Sequence, residues 1–148
     1  MLIPPTLELV AADNPILYQP KYLDMPFDNI AEVYELAQKL YDAMIGWGGM
    51  GLAAPQVGIP YNIFVVGATV PRRTFINPLI HWSSVTKTMQ TEGCLSFPGL
   101  LQRVLRPAEV TITYYTVDGA QMNKRFDGLN ARVIQHEYDH LKGKTIGD

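Results

Sequence analysis

Near the end of the chain, His136-Glu137-Tyr138-Asp139-His140 puts two imidazoles four positions apart, with a carboxylate directly after the first. On a helix, four residues make about one turn, so both rings project from one face and can hold a single ion. Glu137 is turned by about 100° from His136, close enough to reach a water at that ion without being a ligand. The alternative is a charged helix end with two surface histidines. It fits poorly with Leu129, Val133, Ile134 and Leu141, which would bury the helix around them.

Two ligands are one short of a catalytic centre, where three protein groups plus a water are typical. After His140 only LKGKTIGD remains, with Ile146 at the sixth position and no imidazole or acid except Asp148, so the third ligand has to come from upstream. His81, beside Trp82 in an expected strand, and Cys94, the only cysteine, are the candidates. Cys94 fits better: a thiolate binds divalent iron, zinc or nickel well, and Gly93 permits close backbone approach. A lone cysteine would otherwise read as a small buried hydrophobe. Three rival chemistries fit less well. An endopeptidase lacks its downstream ligand, and a structural zinc module lacks a fourth ligand. A cysteine-nucleophile hydrolase leaves one histidine and Glu137 without a role.

These residues need a scaffold, and the composition allows one. The 148 residues are 47% hydrophobic and 18% charged, with net charge −2 and no long run of either sign. That supports one packed domain over residues 1–148 and argues against direct nucleic-acid specificity. No apolar run approaches the ~20 residues of a membrane span, and the N-terminus lacks signal-peptide character. A single cysteine suits a reducing cytoplasm. Pro4, Pro5, Pro15, Pro20 and Pro26 make the first stretch extended. Ile30, Val33, Tyr34, Ala37, Leu40, Tyr41 and Met44 repeat at helical spacing, with Asn29 and Glu32 as a cap and Gly46, Gly48 and Gly49 as a stop. Strands are expected over Asn62–Ala68 and Thr74–Trp82, broken by Pro71 and Pro78, then an extended stretch Ser84–Gln90. Asp118-Gly119 marks a hairpin. A second helix, Leu129–Lys142, carries the histidines and has apolar character on more than one face. The expected fold is α+β, with mostly antiparallel sheets around that central helix.

Three segments in order resemble the peptide deformylases: GMGLAAPQVGIP (Gly49–Pro60), EGCLS (Glu92–Ser96) and QHEYDHLKG (Gln135–Gly143). Phe97-Pro98-Gly99, Val104, Arg106 and Pro107 follow the same pattern, so the resemblance covers most of the chain. It implies one divalent ion held by Cys94, His136 and His140, Fe²⁺ in the cell, with Zn²⁺ or Ni²⁺ able to replace it. The implied reaction removes the N-formyl group from formyl-methionyl nascent peptides and releases formate. Glu137 would be the general base. The Leu95 backbone N–H and the Gln56 amide would stabilise the developing oxyanion.

The peptide would lie along Met50, Gly51 and Gly93 as an added strand. Its methionine would fill a pocket of Met50, Leu129 and Val133, with plain core packing as the alternative for Leu129. Glu92 and Arg106 would either form a supporting ion pair or each face solvent. The chain departs from the family pattern in two places. It stops eight residues after His140, so docking on the ribosome through a C-terminal helix is not carried over. It also has Arg132 where many relatives have an aliphatic residue, at the expected mouth of the pocket. The short form resembles phage-encoded members, for which the compartment would be the host cytoplasm.

Overall fold

The computed structural model describes residues 3–19, 23–67 and 73–148. Pro20, Ala68 and Pro71, named above, lie outside them. The elements run α1 (Ile30–Gly46), β1 (Gly51–Ala53), β2 (Ile63–Val66), β3 (Arg73–Ser83), β4 (Lys87–Cys94), β5 (Phe97–Pro107), β6 (Glu109–Tyr115), β7 (Gln121–Asp127) and α2 (Gly128–Leu141).

The Asn29 side chain accepts from the Glu32 backbone N–H at 3.2 Å, which fixes the start of α1. Its buried face is Val33, Leu36, Ala37, Leu40, Tyr41 and Met44, an i, i+3, i+4, i+7 series. Ile30 and Tyr34, expected on that face, are instead exposed, and Leu36 is fully buried. They sit at the edge of the stripe, which turns slightly further around the helix than the pattern suggested.

Five strands form one antiparallel sheet in the order β1-β2-β3-β6-β7. In β2, Ile63 and Val65 pack with α1, while Phe64 and Val66 join the core of Phe75, Ile112, Phe126 and Ile134 beneath α2. A sheet covered on both faces explains the unbroken apolar run IFVV. Pro78 does not break β3 as expected. Asn77 takes a positive φ of 48°, and the register shifts between Ile76 and Leu79, so the proline is absorbed in a bulge. The Asn77 side chain is held there by Met25, whose N–H donates to Oδ1 at 2.8 Å. The hairpin at Asp118-Gly119 joins β6 to β7 as the sequence suggests.

Among the described residues, the remaining strands, β4 and β5, pair only with each other. The extended stretch expected to end at Gln90 runs on to Cys94, and β5 was not anticipated. Its segment FPGLLQRVLRP has a proline and a glycine near its start and no regular alternation. Pairing with β4, not local preference, makes it a strand. α2 is buried on several sides, with Ala131, Val133, Ile134, Gln135, His136, Glu137 and His140 all inside. At its end Gly143 takes φ 75°, and a Cβ there would meet the Gln19 carbonyl oxygen at 2.6 Å, so glycine is required.

Candidate metal centre

His136 and His140 come from α2, as their spacing requires, and Cys94 comes from the last position of β4. The three donor atoms lie within 4.8 Å of one another, and they are the only such cluster among the described residues. His81 is not part of it: it is exposed on β3, with Nε2 2.9 Å from Asn123 Oδ1. The register of the β4–β5 ribbon shifts between Gly93 and Cys94, so Cys94 leaves the regular alternation just before the Leu95-Ser96 turn.

Cys94 Sγ is 3.4 Å from His140 Nε2. Ligand distances of about 2.3 Å to sulfur and about 2.0–2.1 Å to nitrogen put two tetrahedral ligands about 3.5 Å apart, so the spacing suits a shared ion. The orientation of His136 agrees: its Nδ1 is 2.9 Å from Glu92 Oε1, which leaves Nε2 to face the site. The donor set therefore fits a divalent cation.

Glu92 is the hub behind it. Arg106 donates to Oε2 at 2.6 Å and to Oε1 at 2.8 Å, and Arg132 donates to Oε2 at 2.5 Å. Arg106 also reaches Asp139 Oδ2 at 2.9 Å, which joins the ribbon to α2. Burial works against charge on Glu92, but the bonds from Arg106, His136 and Arg132 outweigh it and hold its pKa down at about 2. Burial likewise opposes a charged His136, yet Cys94 and Glu92 raise it to about 10. His140 is pushed down to about 3, by burial first and then by His136 and Arg106. A metal binds only neutral imidazoles, so metal and protons compete for this site.

Glu137 is 4% exposed, and burial lifts its pKa to about 7, near the value a general base needs. Its Oε2 is 4.0 Å from His136 Nε2, while Oε1 is buried without a hydrogen-bond partner. Gly51 makes room for it: a Cβ there would lie 2.8 Å from Glu137 Cγ and Oε2 and 2.9 Å from Val133 Cγ1. The missing side chain at Gly51 is thus explained by Glu137 itself.

Gln56 lies in a short 3-10 turn, Ala54–Val57, and is 1% exposed. Its Oε1 accepts from the Ala53 N–H at 2.9 Å, so Nε2 must face the other way, where it donates to Ser96 Oγ at 3.0 Å and lies 3.7 Å from Cys94 Sγ. Gln56, Leu95 and Glu137 wall a cavity of about 330 Å³ in front of the donors. Met50, Leu129 and Val133 give it an apolar side, and Gly93 lies on its β4 rim. Leu129 is 43% exposed, so it lines the cavity and is not core.

The sequence left Glu92 and Arg106 open between an ion pair and two solvent-facing residues; they are a buried pair. It missed Asp139, Ser96 and the partners of Arg132. A period-2 reading of β4 puts Glu92 on one face with Thr88 and Gln90, both exposed, so alternation alone gives no sign that this carboxylate is buried.

Residues 6–148 match the family model described as polypeptide deformylase. The chain belongs to the polypeptide deformylase family. It is similar to the peptide deformylase of Treponema pallidum (strain Nichols), 48% identical over 104 residues, covering 70% of this chain and 64% of that protein. The match thus spans just under two thirds of that curated relative's length. A probable peptide deformylase from Synechococcus phage S-SSM7 superposes with a TM-score of 0.91 at 38% identity, covering 97% of this chain and 99% of that one. The enzyme from Synechococcus elongatus, solved in complex with actinonin, also gives 0.91, at 36% identity over 99% of this chain and 80% of that one. Residues of the three segments Gly49–Pro60, Glu92–Ser96 and Gln135–Gly143 meet around this cavity. No described helix is long and apolar enough to cross a membrane.

Proposed function

We propose that this protein removes the N-formyl group from formyl-methionyl nascent peptides, yielding formate and a free amino terminus, in the cytoplasm of the cell or of a phage host. The observation that carries the reading is the convergence of Cys94, His136 and His140 within 4.8 Å, beside a buried Glu137 and a cavity with an apolar side. A divalent cation held by these donors, Fe²⁺ in the cell or Zn²⁺ or Ni²⁺ in its place, supplies Lewis acidity and lowers the pKa of water towards ~7.

Glu137 takes the proton of the attacking water and passes it to the leaving amine; a pKa of about 7 lets it do both. Negative charge on the formyl oxygen is met by the Leu95 backbone N–H and the Gln56 amide. The Gln56 amide nitrogen donates to Ser96 Oγ and lies 3.7 Å from Cys94 Sγ, which fixes it beside the candidate ligand. Among the described residues β1 pairs only with β2 and β4 only with β5, so each keeps an edge for an extended peptide bound through its main chain. Such contacts ignore downstream sequence, as an enzyme acting on many nascent chains requires. Met50, Leu129 and Val133 receive the methionine side chain, while Gly51 and Gly93 flank the backbone.

The test is formate release from a formyl-methionyl tripeptide by anaerobically prepared, iron-loaded protein, with metal content measured on the same sample. Formate produced in step with bound metal is expected. Stoichiometric metal with no detectable formate would overturn the assignment.

A further inference from the structure

Arg132 precedes His136 by one turn of α2 and is 6% exposed. Its NH1 donates to Glu92 Oε2 at 2.5 Å and to the Val104 carbonyl at 3.0 Å. Its NH2 donates to the Thr88 carbonyl at 2.8 Å and to Thr88 Oγ1 at 3.1 Å. Thr88 and Glu92 belong to β4 and Val104 to β5, so one planar head ties both strands of the ribbon to the helix. A compact ammonium could not span these acceptors in the same way.

This matters because the donors sit on separate elements: Cys94 on the ribbon, His136 and His140 on α2. A two-stranded ribbon is marginal without support from another element. Arg132 also completes the Glu92 carboxylate. Oε2 takes Arg106 and Arg132, and Oε1 takes Arg106 and His136, which fills the roughly four acceptor positions of an ionised carboxylate. Arg132 lines the cavity as well, with both terminal nitrogens engaged by the ribbon.

We infer that Arg132 is a positioning residue for the metal centre: it locks the β4–β5 ribbon onto α2, sets the approach of Cys94 to the two histidines, and does not select the side chain that the cavity accepts. The inference rests on the reading of Cys94, His136 and His140 as metal ligands.

The experiment compares wild type, Arg132→Met, Arg132→Lys and, as an exposed-arginine control, Arg125→Met. Zinc affinity is measured by competition with a chromophoric chelator. KM and kcat are measured separately on formyl-methionyl and formyl-leucyl peptides. Arg132→Met, which keeps an unbranched apolar stem, should bind zinc about tenfold more weakly, at the low end of the roughly 10–100-fold cost of losing an outer partner of a ligand. Its kcat should fall, with the Met-over-Leu preference unchanged. Arg132→Lys should recover part of the affinity, and Arg125→Met should match wild type.

Wild-type zinc affinity in Arg132→Met, or a shifted Met-over-Leu preference with zinc affinity intact, would overturn the inference. Should Arg132→Met fail to fold by circular dichroism, Arg132→Lys decides: affinity equal to wild type overturns the inference, and weaker affinity with unchanged side-chain preference supports it. A wild-type protein that binds no zinc would overturn the metal-centre reading itself, a result distinct from either.

Discussion

Two arginine–glutamate pairs in this protein have the same length and opposite surroundings. Arg106 meets Glu92 at 2.6 Å with both side chains under a tenth exposed, and Arg125 meets Glu109 at 2.6 Å with 58% and 37% exposed. Each has a histidine in its neighbourhood. Behind the first, His136 is held by Glu92; on the same sheet face as the second, His81 is held by Asn123, and Arg125 stacks on Trp82 at 4.3 Å. Residue types alone do not distinguish the two clusters. What differs is convergence. The buried cluster joins three elements and aims an imidazole nitrogen at a thiol, while the exposed one decorates neighbouring strands of a sheet that is already paired.

The largest effect separating the two should come from Glu92→Ala. It would strand Arg106 and Arg132 without their shared carboxylate and cost about 3–5 kcal/mol, as breaking one side of a buried pair does. Urea unfolding measures this, and a loss under about 1 kcal/mol, the range of an exposed pair, would mean that solvent reaches the hub. Next is Cys94→Ser. A neutral hydroxyl is a poor ligand at neutral pH, so zinc affinity should fall by more than the roughly 10–100-fold cost of losing an outer partner of a ligand. Unchanged affinity in a chelator competition would remove Cys94 from the ligand set. The smallest effects belong to the exposed cluster. Arg125→Ala should change stability by about 0–1 kcal/mol, and His81→Ala should leave metal content unchanged. A metal-depleted His81→Ala protein would reopen the choice of third ligand.

Much of the site was legible because its signals are local. The four-residue spacing of His136 and His140 is a property of the helix, and the missing downstream ligand directed attention to Cys94. The Asn29 cap and the Asp118-Gly119 turn were equally local, and both formed where expected. What escaped depends on contacts across the chain. β5 exists because β4 pairs with it, and Pro78 stays inside β3 because Asn77 bends the backbone against Met25. The partners of Arg132, namely Thr88, Glu92 and Val104, are 28 to 44 positions away. Spacing arguments do not reach that far. Ile30 and Tyr34 mark a milder limit: helical periodicity found the face of α1 but not its edge.

The central claim is that Glu137 moves protons beside a metal held by others. Its most direct test is Glu137→Ala, assayed for bound metal and for formate release on one preparation. Glu137 is buried with no bonded partner for Oε1, and its pKa is lifted to about 7, as suits a group that moves protons. The account predicts metal near one equivalent per chain, as in wild type, with turnover reduced by at least about 10²–10⁴, the range that a general base contributes. A variant that loses its metal would make Glu137 a ligand, and one that keeps most of its turnover would remove it from the chemistry; either would contradict the account.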